Sequence, residues 1–209
     1  MTSAGQIVGV LLAAGQGRRF GSDKRLQPLA DGTPLALAAA RSLRAGCDEV
    51  LAVLRPGDAA LATVLTAADC RVIYCAEAEQ GMGHSLAAGV QASPEAAGWL
   101  IALADMPAIA PASHAAVAEA LRRGASIVVP AFAGRRGHPV GFSARWRAEL
   151  EGLHGDQGAR RLLQGAPSAI ALLALDDPGI LADIDTPADL AGMPAVDREK
   201  MAKISPRPA

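Results

Sequence analysis

The residues that could do chemistry begin with LAAGQGRRFGSDK, the stretch from Leu12 to Lys24. Its glycines would let backbone N–H groups approach an oxyanion closely: Gly15, Gly17 and Gly21. Together with the adjacent Arg25, its charges sum to about three positive: Arg18, Arg19, Lys24 and Arg25 against Asp23. A triphosphate, and the pyrophosphate that leaves from it, needs cations at this density. The stretch therefore predicts a triphosphate-binding loop.

Two common phosphate loops do not fit this spacing. A P-loop requires G-x-x-x-x-G-K-[ST], whereas Lys24 is preceded by Asp23 and followed by Arg25. A dinucleotide fingerprint would need glycine at the position of Phe20.

Three carboxylates could complete a metal-assisted site. Asp105 directly follows the apolar run WLIALA, and Asp183 and Asp185 alternate within DIDTPADL. Alternate residues of an extended segment share a face, so Asp105 with Asp183 or Asp185 would make a hard oxygen site suited to Mg²⁺. The alternative is a helix cap with spare surface acids, because Thr186 fits an N-cap and Pro187 fits the first helical position.

Three further patterns are weaker. In GMGHS, Gly81 and Gly83 would allow close passage of a base or ribose, and Ser85 could bind a base edge, although a plain glycine turn explains the motif equally well. The basic turn GRRGHPVGFS could bind an anionic second substrate or move a proton, through Arg135, Arg136 and His138. In GDQGAR, Asp156 and Arg160 lie at an expected helix start that could contact an anion.

The elements that must position these residues alternate along the chain. Strands are expected at 6–14, 49–54, 71–75, 99–104, 126–130 and 169–175, and helices at 34–45, 59–67, 81–91 and 113–123. This order predicts parallel β-α-β units covered on both faces, with ligands bound beyond the carboxyl ends of the strands. Residues 131–168 are less regular and are expected to form the pocket for the second substrate. We expect one domain over 1–196 and a flexible tail over 197–209.

Composition narrows the class of protein. The chain has 209 residues, 51% of them hydrophobic, and a formal net charge of −1, which argues against disorder and against coating a nucleic acid or an anionic membrane. No apolar stretch approaches the ~18 residues of a membrane span, and no secretory leader pattern opens the chain, so a cytoplasmic location is expected. The three cysteines lack a CxxC pair and are expected to be small buried hydrophobes.

The order of motifs resembles a known family. Six motifs follow one another from about Ile7 to Leu190: LAAGxGxRxGxxK, GMGxS, ADMP, GxxGHPV, GDxGAR and DIDTPxDL. This order is similar to that of the molybdenum cofactor nucleotidyltransferases, and within them to the cytidylyltransferase branch. The first motif is shared by many nucleotidyltransferases, and the last three narrow the resemblance.

The resemblance implies a Rossmann-like nucleotidyltransferase fold, a three-layer α/β/α arrangement with a mostly parallel sheet and a small acceptor-binding excursion. It implies Mg²⁺-dependent transfer of CMP from CTP to the terminal phosphate of molybdopterin, with a client molybdoenzyme or its chaperone as a further partner. The nucleotide-binding positions would be Leu12, Ala13, Ala14, Gly15, Gly17, Arg18, Arg19, Lys24, Gly81, Gly83 and Ser85. The catalytic residues would be Arg19, Lys24 and Asp105. The metal would bind Asp105 and Asp185, with Asp183 as the alternative ligand. The acceptor would bind Arg136, His138, Asp156 and Arg160.

Other donors and roles stay open. The guanylyltransferase branch usually has LAGG where this chain has LAAG, and the methyl of Ala14 would narrow the floor of the base pocket in favour of a pyrimidine. The alternatives are GTP as the donor, another phosphorylated acceptor, or a non-catalytic protein that hands over the cofactor.

Overall fold

A computed structural model describes residues 5–15, 23–156 and 158–191 of the chain. In its sheet, β1 (Ile7–Leu12) lies between β2 (Glu49–Leu54) and β4 (Gly98–Leu103), and β3 (Arg71–Tyr74) follows β2. All of these pairings are parallel. β1 is apolar throughout and buried at every position, as expected for a parallel strand covered on both faces.

The other half of the sheet is mixed. β7 (Val140–Ser143) runs antiparallel between β4 and β5 (Ile127–Phe132), and β8 (Ile170–Ala174) pairs in parallel with β5. The prediction of a mostly parallel sheet is confirmed. The prediction of parallel β-α-β units is wrong in this half of the sheet, because β7 is antiparallel to both of its neighbours.

The error lies in the hairpin that joins β5 to β6 (Arg135–Arg136), which the sequence predicted to be only a turn. The chain reverses at Ala133 and Gly134, both with positive φ, and continues through β6 into β7. Because both residues of β6 are exposed arginines, the strand has no apolar alternation by which it could be recognised.

The helices are α1 (Leu35–Leu43), α2 (Ala59–Thr66), α3 (Met82–Gln91), α4 (Pro111–Arg122), α5 (Arg147–Glu151), α6 (Arg160–Gly165) and α7 (Pro187–Ala191). They enclose two apolar clusters, one on each face of the sheet. Ile7 and Leu11 of β1 belong to the cluster that contains residues of α1 and α4, whereas Val8 and Val10 pack with residues of α3. The period-two alternation of β1 thus divides the core between the two outer layers of a three-layer fold.

Cys70 and Cys75 are buried and Cys47 is half-buried, and all three thiols are free. Burial raises the pKa of each thiol, to about 11 for Cys70. This environment fits the prediction that they serve as small apolar side chains. Within the described residues, no helix combines the length and the apolar character required to cross a membrane. The tail expected over 197–209 lies outside the described residues.

Candidate functional site

A cleft of about 610 Å³ lies beyond the carboxyl ends of β1 and β4. Its lining includes the residues that follow β1, those that follow β4, and the start of α3. Of the residues predicted for the site, ten line it: Leu12, Ala13, Ala14, Gly15, Lys24, Gly81, Ser85, Asp105, Asp156 and Asp185. Gly17, Arg18 and Arg19 lie outside the described residues.

Lys24 is the central cation of this cleft. It begins a single 3-10 turn, Lys24–Leu26, and only 8% of its surface is exposed. Its Nζ donates to Asp105 Oδ2 at 3.1 Å, to the Ile184 carbonyl at 2.6 Å and to Asp185 Oδ1 at 3.4 Å. An ammonium has three N–H donors, so these acceptors use all of them.

The two carboxylates beside Lys24 are open to solvent on their other sides. The side chains of Asp105 and Asp185 are 29% and 52% exposed. The Ile184 amide donates to the Asp105 carbonyl at 2.9 Å, which joins the segment after β4 to the segment before α7. A lysine and two carboxylates from three distant parts of the sequence therefore meet at one point, as the motifs predict.

The DIDTPADL segment provides both the cap and the site carboxylate. Asp189 Oδ2 accepts hydrogen bonds from the Thr186 hydroxyl and from the amides of Thr186 and Asp185, and these bonds lower the pKa of Asp189. The cap fixes the backbone that carries Asp185. Asp183 is exposed and does not line the cleft, so the geometry favours Asp185 over Asp183 as the second site carboxylate.

Arg25 differs from its expected role. It was expected among the positive charges available to a triphosphate, but it is buried and paired with Asp23 and Asp58. Asp23 was already subtracted in the sum of about three, so Asp58 is the acid that the sequence did not reveal, and Arg25 itself is not available to a triphosphate.

The glycines of GMGHS accommodate the protein's own backbone. Gly81 has φ +130°, and a Cβ there would lie 2.2 Å from the carbonyl carbon of Gly155. A Cβ on Gly83 would lie 2.7 Å from the carbonyl carbon of His154, and the Gly83 amide donates to the Gly155 carbonyl at 2.8 Å. The GMGxS and GDxGAR motifs are thus packed together, which brings Asp156 to the cleft. Gly83 itself does not line it.

Five lining residues are not among those predicted for the site: Ala78, Glu79, Met82, Leu103 and Ala104. Met82 is 45% exposed at the start of α3, and Glu79 precedes that helix. Met82 could have been found, because it lies inside the GMGxS motif. Glu79 belongs to AEAEQ, which carries no recognisable pattern.

The residues predicted for the acceptor are dispersed. Asp156 lines the cleft, but Arg136, His138 and Arg160 do not. Arg136 and Arg160 are exposed, on β6 and at the start of α6. The buried Nδ1 of His138 has no hydrogen-bond partner among the residues that the structure describes, and the His138 amide donates to the Ile180 carbonyl. Burial lowers the pKa of His138, opposed by a hydrogen bond with the Ile101 backbone and the charges of Asp105 and Asp183.

The donor set suits a hard divalent ion that keeps other ligands. Among the described residues, no group of three or more His, Cys, Asp or Glu side chains could enclose a metal. Asp105 and Asp185 provide two carboxylates that already share one cation, the Lys24 ammonium. Mg²⁺ commonly binds through one or two carboxylates together with water and phosphate oxygens, so these residues fit it.

Residues 9–172 match the model of the MobA-like NTP transferase domain. The chain therefore belongs to the MobA-like NTP transferase family. It is 36% identical over 193 residues to the purine catabolism protein PucB of Bacillus subtilis, covering 88% of this chain and 93% of PucB. It is 32% identical over 189 residues to the nicotine blue oxidoreductase of Paenarthrobacter nicotinovorans, covering 86% and 92%.

Solved structures agree with this assignment. Rv0371c from Mycobacterium tuberculosis H37Rv superimposes with a TM-score of 0.78 at 30% identity, covering 97% of this chain and all of that one. Its complex with manganese superimposes with a TM-score of 0.72 at 27% identity, covering 95% and 100%. A nucleotidyl transferase from Methanothermobacter has a TM-score of 0.76 at 25% identity, covering 89% and 94%.

Proposed function

We propose that this chain transfers CMP from CTP to the terminal phosphate of molybdopterin and releases pyrophosphate, with Mg²⁺ as the cofactor. The observation that carries the proposal is Lys24 bound between Asp105 and Asp185 at the carboxyl ends of β1 and β4. Membership in a family of NTP transferases supports nucleotidyl transfer as the reaction class. CTP and molybdopterin rest on the motif resemblance.

The proposed reaction needs little covalent participation from the protein. An oxygen of the acceptor's terminal phosphate forms a bond to the α-phosphorus of CTP. The bond from that phosphorus to the oxygen bridging the β-phosphorus breaks, and pyrophosphate leaves with the electron pair. A phosphate monoester is already anionic near pH 7, so no strong general base is required. Catalysis would consist of positioning and charge neutralisation, by Lys24 and by Arg19 of the first motif.

Asp105 and Asp185 would hold the divalent ion. When bound, Mg²⁺ would neutralise charge on the triphosphate and act as a Lewis acid at its oxygens. The manganese complex of Rv0371c supports a divalent ion in a protein of similar fold. The part of the cleft that the structure describes is rich in acids, with Glu79, Asp105, Asp156 and Asp185 in its lining. A highly charged anion would need added cations to enter it.

The proposal is tested with a panel of four α-³²P-labelled NTPs, each with and without molybdopterin and with Mg²⁺ or a chelator. We expect label to reach the acceptor only with CTP, molybdopterin and Mg²⁺ together. A preference for GTP would contradict the donor assignment, and transfer only to a different phosphorylated acceptor would contradict the acceptor. Binding of CTP with no transfer to any acceptor would favour the non-catalytic alternative.

The donor preference has its own prediction, at Ala14. This residue is buried on the cleft lining, two positions after the end of β1, and its methyl group would narrow the base pocket. We expect Ala14→Gly to relax the ratio of kcat/KM for CTP over GTP by about tenfold, the scale of a methyl-sized difference in a pocket. Steady-state rates with the two nucleotides measure this. An unchanged ratio would place base selection elsewhere.

A further inference from the structure

Arg25 is buried at the centre of an ion cluster beside the cleft, with the exposed Asp23 and the half-buried Asp58. Only 5% of its surface is exposed. Its Nε and Nη2 donate to Asp23 at 2.8 and 2.7 Å, and its Nη1 and Nη2 donate to Asp58 at 2.6 and 2.7 Å. Nη1 also donates to the Ala13 carbonyl at 2.5 Å. The guanidinium therefore makes five hydrogen bonds, as many as it has donors.

These partners come from three separate segments. Ala13 directly follows β1, where the chain enters the triphosphate-binding loop predicted by the first motif. Asp23 lies where that loop ends, and its Oδ1 also accepts from the Arg25 amide at 3.1 Å to cap the turn Lys24–Leu26. Asp58 precedes α2 and accepts from the Arg55 amide at 3.1 Å. Arg25 thus joins the two ends of the predicted loop to each other and to the start of α2.

The electrostatics show how strongly the cluster is coupled. Hydrogen bonds from Arg25 lower the pKa of Asp23, although partial desolvation opposes this. Burial raises the pKa of Asp58, but hydrogen bonds from Arg25 and the Arg55 backbone outweigh this and lower it overall. Removing one partner of such a buried pair leaves an uncompensated charge, whereas an apolar replacement of the whole cluster is often neutral. A buried ion cluster is therefore weak evidence for stability and stronger evidence for a required geometry.

The neighbour of Arg25 in sequence is Lys24, the cation between Asp105 and Asp185. Both residues belong to one short turn, so the orientation of that turn sets the direction of the Lys24 side chain. We propose that Arg25 is a positioning residue: it fixes the turn at Ala13, Asp23 and Asp58 and so holds Lys24 at the two site carboxylates. The kinetic consequence rests on the proposed nucleotidyl transfer, but the structural consequence does not.

The test compares two substitutions that each remove one carboxylate charge from an arginine. Asp58→Asn weakens the buried cluster. Asp69→Asn is the matched control, because Asp69 pairs with Arg44 at the surface and Asn also tolerates its φ of +64°. Arg25→Lys is a second variant that keeps the charge but cannot reproduce the five-bond fork. Hydrogen exchange followed by mass spectrometry reports on residues 23–29, and β1 provides the reference.

In Asp58→Asn and Arg25→Lys, we expect amide exchange over 23–29 to rise by about tenfold while β1 stays protected. We expect kcat for transfer to fall on the order of tenfold to a hundredfold, the effect of misplacing a catalytic group. Asp69→Asn should change neither. KM for the nucleotide should change less than kcat if Lys24 acts mainly in the transition state.

Unchanged exchange over 23–29 in both cluster variants would overturn the proposal, as would raised exchange with unchanged kcat. Exchange that rises throughout the protein in both variants would also overturn it, by showing that the cluster only stabilises the fold. If the wild-type protein transfers label from none of the four NTPs, the proposed function fails, and the exchange comparison alone decides whether Arg25 orders the turn.

Discussion

At the residue scale, Lys24 is the side chain on which most of the site depends. Its three N–H donors are used by Asp105, Asp185 and the Ile184 carbonyl, so its position is determined by three hydrogen bonds. The same arrangement keeps two acidic groups close together in a cleft that is proposed to receive a polyanion. Lys24 therefore has a structural role, because it balances the charge of the two carboxylates, and a proposed catalytic role, because it would bind the triphosphate.

The substitution Lys24→Met tests these two roles separately. The methionine fills a similar space but carries no charge, so we expect transfer to fall by at least about a hundredfold through loss of electrostatic stabilisation. Mg²⁺ binding should not weaken, because Asp105 and Asp185 lose their competing cation. Single-turnover rates and calorimetric titration with Mg²⁺ measure the two effects, and circular dichroism checks the fold. Near wild-type transfer would remove Lys24 from the proposed mechanism.

The choice between Asp183 and Asp185 also belongs to single residues. Asp185 contacts Lys24 and lines the cleft, whereas Asp183 does neither among the described contacts. We expect Asp185→Asn to raise the Mg²⁺ concentration needed for half-maximal rate by about tenfold, since it removes one of two anionic ligands. Asp183→Asn serves as the control, two positions away, and should leave that concentration unchanged. If Asp183→Asn raised this Mg²⁺ concentration and Asp185→Asn did not, Asp183 would be the metal ligand instead of Asp185.

At the scale of elements, the start of α3 and the 154–156 segment form one unit. Gly83 packs directly on the His154 backbone, and the Gly83 amide bonds the Gly155 carbonyl. This contact places Ser85 and Asp156 on the same cleft. The nucleotide side and the expected acceptor side of the site are therefore joined by glycine packing.

The corresponding prediction is Gly83→Ala. The added methyl would lie 2.7 Å from backbone atoms that cannot rotate away, so the two segments must separate. We expect a loss of about 1–3 kcal/mol in the free energy of unfolding, typical of overpacking, and a raised KM for the nucleotide. Gly165→Ala is the control, because no atom of the described residues lies within 4 Å of its Cβ position at the end of α6. Denaturant unfolding and steady-state kinetics compare them, and equal stabilities would contradict the packing argument.

Elements also show what the sequence could predict. The strands of the parallel half and the meeting of Asp105 with the first motif followed from apolar runs and from the rule that strand ends share an edge. The pairing of Arg25 with Asp58, 33 residues away, could not be predicted, because tertiary packing alone decides which charges become buried together. The glycines at 81 and 83 were recognised as sites of close approach, but one sequence does not tell whether a ligand or the backbone approaches.

At the scale of the whole molecule, a net charge of −1 conceals a segregated distribution. The described lining of the cleft has four carboxylates against two cations, and one of those cations, Arg25, is balanced by Asp23 and Asp58. In the proposed reaction, the remaining positive charge that an NTP needs would come from Arg18 and Arg19 or from a metal. This balance explains why nucleotide binding is expected to depend on a divalent ion.

The whole fold also carries a buried histidine that should link its stability to pH. His114 lies on α4, is 2% exposed, and its Nδ1 has no hydrogen-bond partner within the described residues. Burial lowers its pKa to about 4, although Asp177 nearby opposes this. Unfolding restores an ordinary pKa of about 6.5. Between these values the unfolded chain binds a proton that the folded chain does not, so acidification favours unfolding.

We therefore expect the contribution of His114 to be complete above about pH 6.5 and to be lost as the pH falls towards 4, a change on the order of 3 kcal/mol. His114→Leu should flatten the unfolding free energy across this window, and His84→Leu on α3 is the control. Some slope should persist, because burial lowers the pKa of His138 as well. Asp23 and Asp58 also have lowered pKa values, but they act below about pH 3.8, outside the window. Urea unfolding at half-unit steps of pH measures the slope, and an unchanged slope in His114→Leu would show that His114 is not kept neutral by the fold.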